Sequence, residues 1–308
     1  MMDRQTLTDT MGQRLLKAGE VLSSGYALLS NRFGSYLLLS FLVYLPANLI
    51  TGYFAMQIDL TPLLEVQNDL NLLTEAYESL LGEYVHLIGA QLAVMFLTLV
   101  AAMVTAVIVK NQLFDEENRS FGKNFYQGVR MWPRGALSLI LVLIELILGS
   151  FGCAVLMMVP LIGLVAFVLM IALVFIFQMN YSLSSAAAAL RGRFGFDNLR
   201  YIRFLSAPVY PQTIGIFAIV TLISNGILMI VSLLTTNLVT FSDNQWVMLA
   251  VSTLIDTILS ILSVYGFVCG AIVFLNLEEL HRPKTQPETE NGPSELKEEV
   301  DTEDRFHV

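Results

Sequence analysis

Residues 135–178 read GALSLILVLIELILGSFGCAVLMMVPLIGLVAFVLMIALVFIFQ, and Glu145 is the only charged side chain among them. At about 1.5 Å of rise per residue, one helix of that length would be about twice the thickness of a bilayer's hydrocarbon. The run must fold back on itself. Gly149, Gly152, Pro160 and Gly163 supply the breakers, so two spans are expected, at 135–156 and 160–180.

Reading outward from this hairpin, further runs of spanning length lie at 36–56, 85–109, 212–237 and 246–275. Of the 308 residues, 55% are apolar and 14% charged; a soluble domain carries about 25% charged residues. The expected fold is an all-α integral membrane bundle of six transmembrane helices. The net charge of −9 argues against a nucleic-acid partner, because neutralising phosphates takes clustered Lys and Arg. The lipid bilayer is the first expected partner.

Charge placement tests the span count independently. Residues 1–35 hold Arg4, Arg14, Lys17 and Arg32. The loop 57–84 holds no Lys or Arg, residues 110–134 hold five, and the bend between spans three and four holds none. Residues 191–203 hold four, the turn 241–245 none, and the tail four, which accounts for all 17 basic residues. Basic residues are retained on the cytoplasmic side during insertion. Both termini are therefore expected in the cytoplasm. No cleavable signal peptide is expected, since the apolar run after residue 35 is too long for an h-region.

Three stretches outside the spans have readable character. Thr61 to Glu83 places Leu63, Val66, Leu70, Leu73, Tyr77 and Leu80 at helical spacing, with Glu65, Asp69, Glu75 and Glu78 opposite; this predicts an extracytoplasmic amphipathic helix over 61–83. Residues 276–308 read as an acidic cytoplasmic tail, disordered for want of anything to bury. Short basic, aromatic stretches precede spans 1, 3 and 5: around Val21–Tyr26–Arg32, Phe121–Phe125–Arg134 and Phe194–Tyr201–Pro208. Arg, Phe, Tyr and Trp at that depth suit interfacial helices, and three units of interfacial helix plus hairpin would follow. The domain division is then 1–35, 36–275 and 276–308.

The same stretches carry a resemblance. Lys17–Ala18–Gly19–Glu20–Val21–Leu22, Tyr26, Asn31–Arg32–Phe33–Gly34 and Leu45–Pro46 resemble the opening of a bacterial inner-membrane group of six-span proteins. Ser120–Phe121–Gly122 and Val129–Arg130–Met131–Trp132–Pro133 continue the likeness. The group includes the membrane domain of glycerophosphodiester phosphodiesterases. At the turn after span three it usually shows Pro-Gly-Ile, where this chain has Pro160–Leu161–Ile162–Gly163. In two-domain members the chemistry belongs to a separate soluble barrel. Only 33 residues follow Leu275 here, too few for a barrel, so the resemblance implies a membrane domain without that catalytic half, in the bacterial inner membrane.

Candidate polar positions inside the spans are few. Glu145 lies 11 residues past Arg134, Asp256 10 past Trp246 and Asn225 14 past Pro211, all near mid-bilayer. Charge at that depth costs about 2.5–3.5 kcal/mol on insertion scales, and no Lys or Arg stands in the expected spans as a partner. Each acid is therefore expected to be neutral and hydrogen-bonded, or to face water or a cation. A substrate or ion pathway through Glu145, Asn225 and Asp256 is one reading; interhelical packing is the other. Ser252, Ser260 and Ser263 read as small packing residues, and Cys153 and Cys269 as apolar packing with no metal spacing. No metal site or cofactor is expected. No GxxxxGK[ST], HExxH, GxSxG or SxxK pattern occurs, so no enzymatic activity is expected. The leading expectation is a non-enzymatic accessory or scaffold in an envelope process, holding a membrane-protein or lipid partner. The alternative is a transporter or permease component for a lipid-like or small polar solute.

Overall fold

In the computed structural model, residues 4–58, 70–114, 120–239 and 244–282 are described. Among them the secondary structure is helical throughout. In chain order the helices are α1 (Arg4–Met11), α2 (Ala18–Asn31), α3 (Phe33–Ala55), α4 (Leu70–Phe114), α5 (Phe121–Arg130), α6 (Trp132–Met157), α7 (Pro160–Arg191) and α8 (Gly195–Ser206), then a short 3-10 turn. α9 (Tyr210–Val239), α10 (Gln245–Leu259) and α11 (Ile261–Leu280) follow. Six segments are long and apolar enough to cross a membrane: Phe33–Ala55, Tyr84–Phe114, Trp132–Met157, Gly163–Arg191, Gly195–Val231 and Gln245–Leu280. The chain thus has the build of a multi-pass membrane protein.

Several expected boundaries shift. The fold-back in 135–178 occurs at Met158–Val159, with Pro160 as the first residue of α7, where its fixed φ suits a helix start. Gly149, Gly152 and Gly163 sit inside helices instead. Within the expected outer helix 61–83, residues from Leu70 onward run continuously into the second span as one 45-residue helix; residues 61–69 lie outside the described ones. The sixth span is two helices meeting at Ser260, whose hydroxyl donates to the Thr257 carbonyl at 2.6 Å while the backbone ladder runs on through it, Ser260 N donating to the Asp256 carbonyl at 2.9 Å and Val264 N to the Ser260 carbonyl at 3.0 Å. The expected tail begins too early: residues 276–280 belong to α11 and Asn276 is fully buried. The rest of that tail, 283–308, lies outside the described residues.

The core is built from the second halves of the even-numbered spans. Every residue is buried in 101–109 of α4, 181–189 of α7 and 267–277 of α11, and these three helices touch one another in all pairings. Small residues make the approach possible: Ala101, Ala102 and Ala106, then Ser182 to Ala189, then Cys269, Gly270 and Ala271. In a membrane, helices associate through such close packing because lipid tails are as apolar as the side chains they would displace. α3, α6 and α9 lie around this centre.

Each short helix then packs on the even span that precedes it in a cycle. α5 lies against α4, α8 against α7, and α2 against α11. Buried amides fasten each joint. Asn111 Nδ2 donates to Asn124 Oδ1 at 2.7 Å. Asn198 Nδ2 donates to the Ser184 carbonyl at 3.0 Å and to Ser138 Oγ at 2.9 Å. Asn276 accepts from Leu16 N at 2.8 Å and donates to the carbonyls of Met11 at 2.8 Å and Arg14 at 3.0 Å. At this same end Glu278 accepts two bonds from Arg191, at 2.7 and 2.8 Å, and one from the Tyr201 hydroxyl at 2.6 Å. Bidentate pairing of this kind fixes geometry as well as charge.

The start of α2 carries a testable charge. Glu20 pairs with Arg14 at 2.6 Å and accepts from Lys17 N at 2.8 Å. The Arg14 guanidinium holds its carboxyl down at about 2, against an ordinary 4.5. The stability this contributes is present above about pH 4.5 and is lost as pH falls toward 2. The melting-temperature advantage of the parent protein over Glu20→Gln should therefore shrink between pH 5 and pH 3; a constant difference would show that the pair does not titrate with folding.

Candidate functional site

The tight core fills only the end of the bundle that carries the basic residues. Toward the other end the helices splay. In α4, Leu81, Tyr84, Val85, Ile88 and Leu92 are exposed, and in α7 the run Leu164 to Ile171 is largely so, Ala166 excepted. α10 leaves the centre to pack on α3, where Leu249 and Thr253 meet Gly52 and Asn48 Nδ2 reaches Thr257 Oγ1 at 3.3 Å. α10 and α11 meet at Ser260, the first packed on α3 and the second in the core.

Where packing gives way to splaying there is a chamber of about 270 Å³. Its polar lining comes from α3 (Tyr44), α4 (Thr98), α7 (Gln178 and Tyr181), α9 (Thr221, Ser224 and Asn225) and α11 (Ser263). Gly266, three residues beyond Ser263, widens it. Among the described residues no Asp, Glu, Lys, Arg or His lines it. Tyr181 stacks on Phe177 with centroids 6.1 Å apart, meets Phe267 edge-on at 5.8 Å, and shares a 3.4 Å hydroxyl contact with Thr98. The hydroxyl oxygen of Ser224 is buried beside the chamber with no hydrogen-bond partner among the described residues, as are those of Ser24, Ser40, Thr105 and Thr253 elsewhere.

The three polar positions expected to form a pathway do not come together. Asn225 lines the chamber; Glu145 and Asp256 do not. Of the states expected for Glu145, the structure shows a carboxylate facing a cation: Arg203 of α8 reaches it and forms an ion pair. The partner was not visible inside the spans because Arg203 precedes span five; α8 lies back along α6 and brings the guanidinium to the acid. Glu145→Gln and Arg203→Gln should each lower thermal stability, and the double variant should lose less than the sum of the two. Strict additivity in that cycle would show that the pair is not coupled. Asp256 is exposed on α10; its carbonyl accepts from Ser260 N at 2.9 Å, and its carboxylate meets no basic side chain among the described residues.

Sequence reading missed most of the chamber. Gln178, in the most apolar stretch of the chain, was the available signal, since a buried amide in a span needs partners or water. Ser263, read as a packing residue, is a lining residue. Tyr44, Thr98 and Tyr181 gave no signal, because hydroxyls scattered along spans look alike until the faces are known. Among the described residues no cluster of His, Cys, Asp and Glu could hold a metal. No protein-family profile matches the chain, and no curated protein and no solved structure matches it either.

Proposed function

We propose that the chain is a bacterial inner-membrane protein that binds and moves a small polar or lipid-like solute through the chamber at mid-bundle. The uncharged polar lining, gathered from five spans and ending on a packed floor, is the observation that carries this reading. Binding sites between helices at mid-membrane are the usual transporter arrangement.

Sidedness belongs to the same proposal. Arg14, Lys17 and Arg32 around α2, the basic residues of α5 and α8, and Lys110, Arg191 and Arg282 at or just past the ends of α4, α7 and α11 collect at one end, which we assign to the cytoplasm, with both termini there. α2, α5 and α8 then lie at the interface with Tyr26, Tyr126, Phe196 and Phe204 outward, each more than 60% exposed. Those outward aromatics also favour the second reading, an accessory or scaffold protein that holds a partner; neither reading involves an enzymatic step. The resemblance to the six-span group around the phosphodiesterase membrane domain agrees with both.

Native mass spectrometry of the protein, extracted gently from its own membrane, tests the choice. A defined small adduct that disappears in Ser263→Phe, with the bundle still folded, is the expected result. A stoichiometric protein partner and no adduct would replace the transport reading with the scaffold one.

A further inference from the structure

The chamber has a neighbour. On α4, Ile88, Gln91, Leu92, Val94, Met95 and Thr98 line an open, mostly apolar groove of about 380 Å³. Thr98 lines both spaces, and its contact with the Tyr181 hydroxyl is the partition between them. Resting on the solute-binding reading above, we infer that the ligand is a neutral lipid, its uncharged hydroxyl-bearing head group in the chamber and its acyl chain passing Thr98 into the α4 groove.

Three features select this class. First, a phosphate in the chamber would be stripped of water with no Lys or Arg to meet it, and a bare buried anion is strongly disfavoured. Hydroxyls and esters, by contrast, find Tyr44, Gln178, Asn225 and Ser263 as donors and acceptors. Second, the amides of Gln178 and Asn225 line the space, and each offers both a donor and an acceptor to a ligand hydroxyl or ester. Third, the chamber equals roughly nine waters in volume, enough for a small head group but not for a long chain. The chain must leave, and the apolar groove that begins at Thr98 takes it.

The test uses the full chain, purified and delipidated, with three probes: dioleoylglycerol, dioleoylphosphatidylglycerol and glycerol. Native mass spectrometry should show one dioleoylglycerol retained per protein, at least about tenfold over the phospholipid, and no glycerol. Asn225→Leu keeps the size of the side chain and removes its amide from the chamber, so it should keep the parent melting temperature and weaken dioleoylglycerol retention severalfold. Thr98→Phe, which blocks the junction, should abolish retention, with melting measured alongside to confirm folding. Equal retention of the phospholipid, or retention indifferent to Asn225→Leu, would overturn the assignment and mark the bound lipid as annular. Binding of glycerol alone would overturn it while leaving the solute-binding reading intact. Retention of none of the three would also overturn it. The broader reading fails separately, on a protein partner with an empty chamber.

Discussion

Gly128→Ala should lower thermal stability by about 3 kcal/mol, at the upper end of the usual cost of overpacking, and should lower the melting temperature by roughly 5–10 °C. A β-carbon at residue 128 would stand 2.8 Å from Val104 Cα and 2.9 Å from Val104 N. Those are backbone atoms of a fully buried stretch of α4, which cannot turn aside as a side-chain tip can. α5 would have to lift from α4, stretching the Asn111–Asn124 bond and the seat of Trp132, whose indole donates to the Phe96 carbonyl at 2.8 Å. Gly122→Ala is the control. It lies in the same short helix with nothing within 4 Å of its added carbon, so it should be neutral or slightly stabilising through helix propensity. Equal behaviour of the two variants in a detergent melt would refute the close approach of α5 to α4.

Asn276→Leu should release the first sixteen residues from the bundle. The amide is fully buried and serves three backbone groups across more than 250 residues of sequence: the Leu16 amide and the Met11 and Arg14 carbonyls. A leucine of similar size fills the space but leaves all three groups unpaired, at about 1–3 kcal/mol for each that water cannot reach. α1, held chiefly by the burial of Leu7, Met11 and Leu16, would then open locally far more often. Trypsin cleavage after Arg14 should accelerate by about 10- to 100-fold, as an opening cost of about 1.4–2.8 kcal/mol removed would give, and the Leu16 amide should lose its protection from hydrogen exchange. Unchanged cleavage would show that apolar contacts alone hold the segment. Asn276→Asp keeps the acceptor for Leu16 but turns a buried carboxylate oxygen toward the Met11 and Arg14 carbonyls, so cleavage at least as fast as in Asn276→Leu is expected.

These two predictions concern residues that hydropathy does not notice. Asn276 sits at the boundary where the spans appeared to end and a tail to begin, yet it is the joint that closes the cycle of three units. Gly128 is one glycine among 20, and only the path of α5 across α4 gives it meaning. The Glu145–Arg203 pair is similar. Each residue was visible in the sequence, but their meeting depends on α8 lying back along α6.

The sequence by itself determined the number of spans, their approximate limits, the hairpin in 135–178 and the alternation of basic and non-basic loops. Each is a local or cumulative property: the free energy of moving a segment into hydrocarbon adds up along the chain, and loop charge acts loop by loop during insertion. Only the tertiary structure decided which helices form the centre, where the bundle opens and which polar side chains share the chamber. Inside a bilayer, hydrophobicity no longer separates an inner face from an outer one, because lipid and protein neighbours are equally apolar. What orients the helices is the fit of small residues such as Ala106, Ser182 and Gly270 and the few hydrogen bonds between spans, and these depend on contacts between residues far apart in the chain.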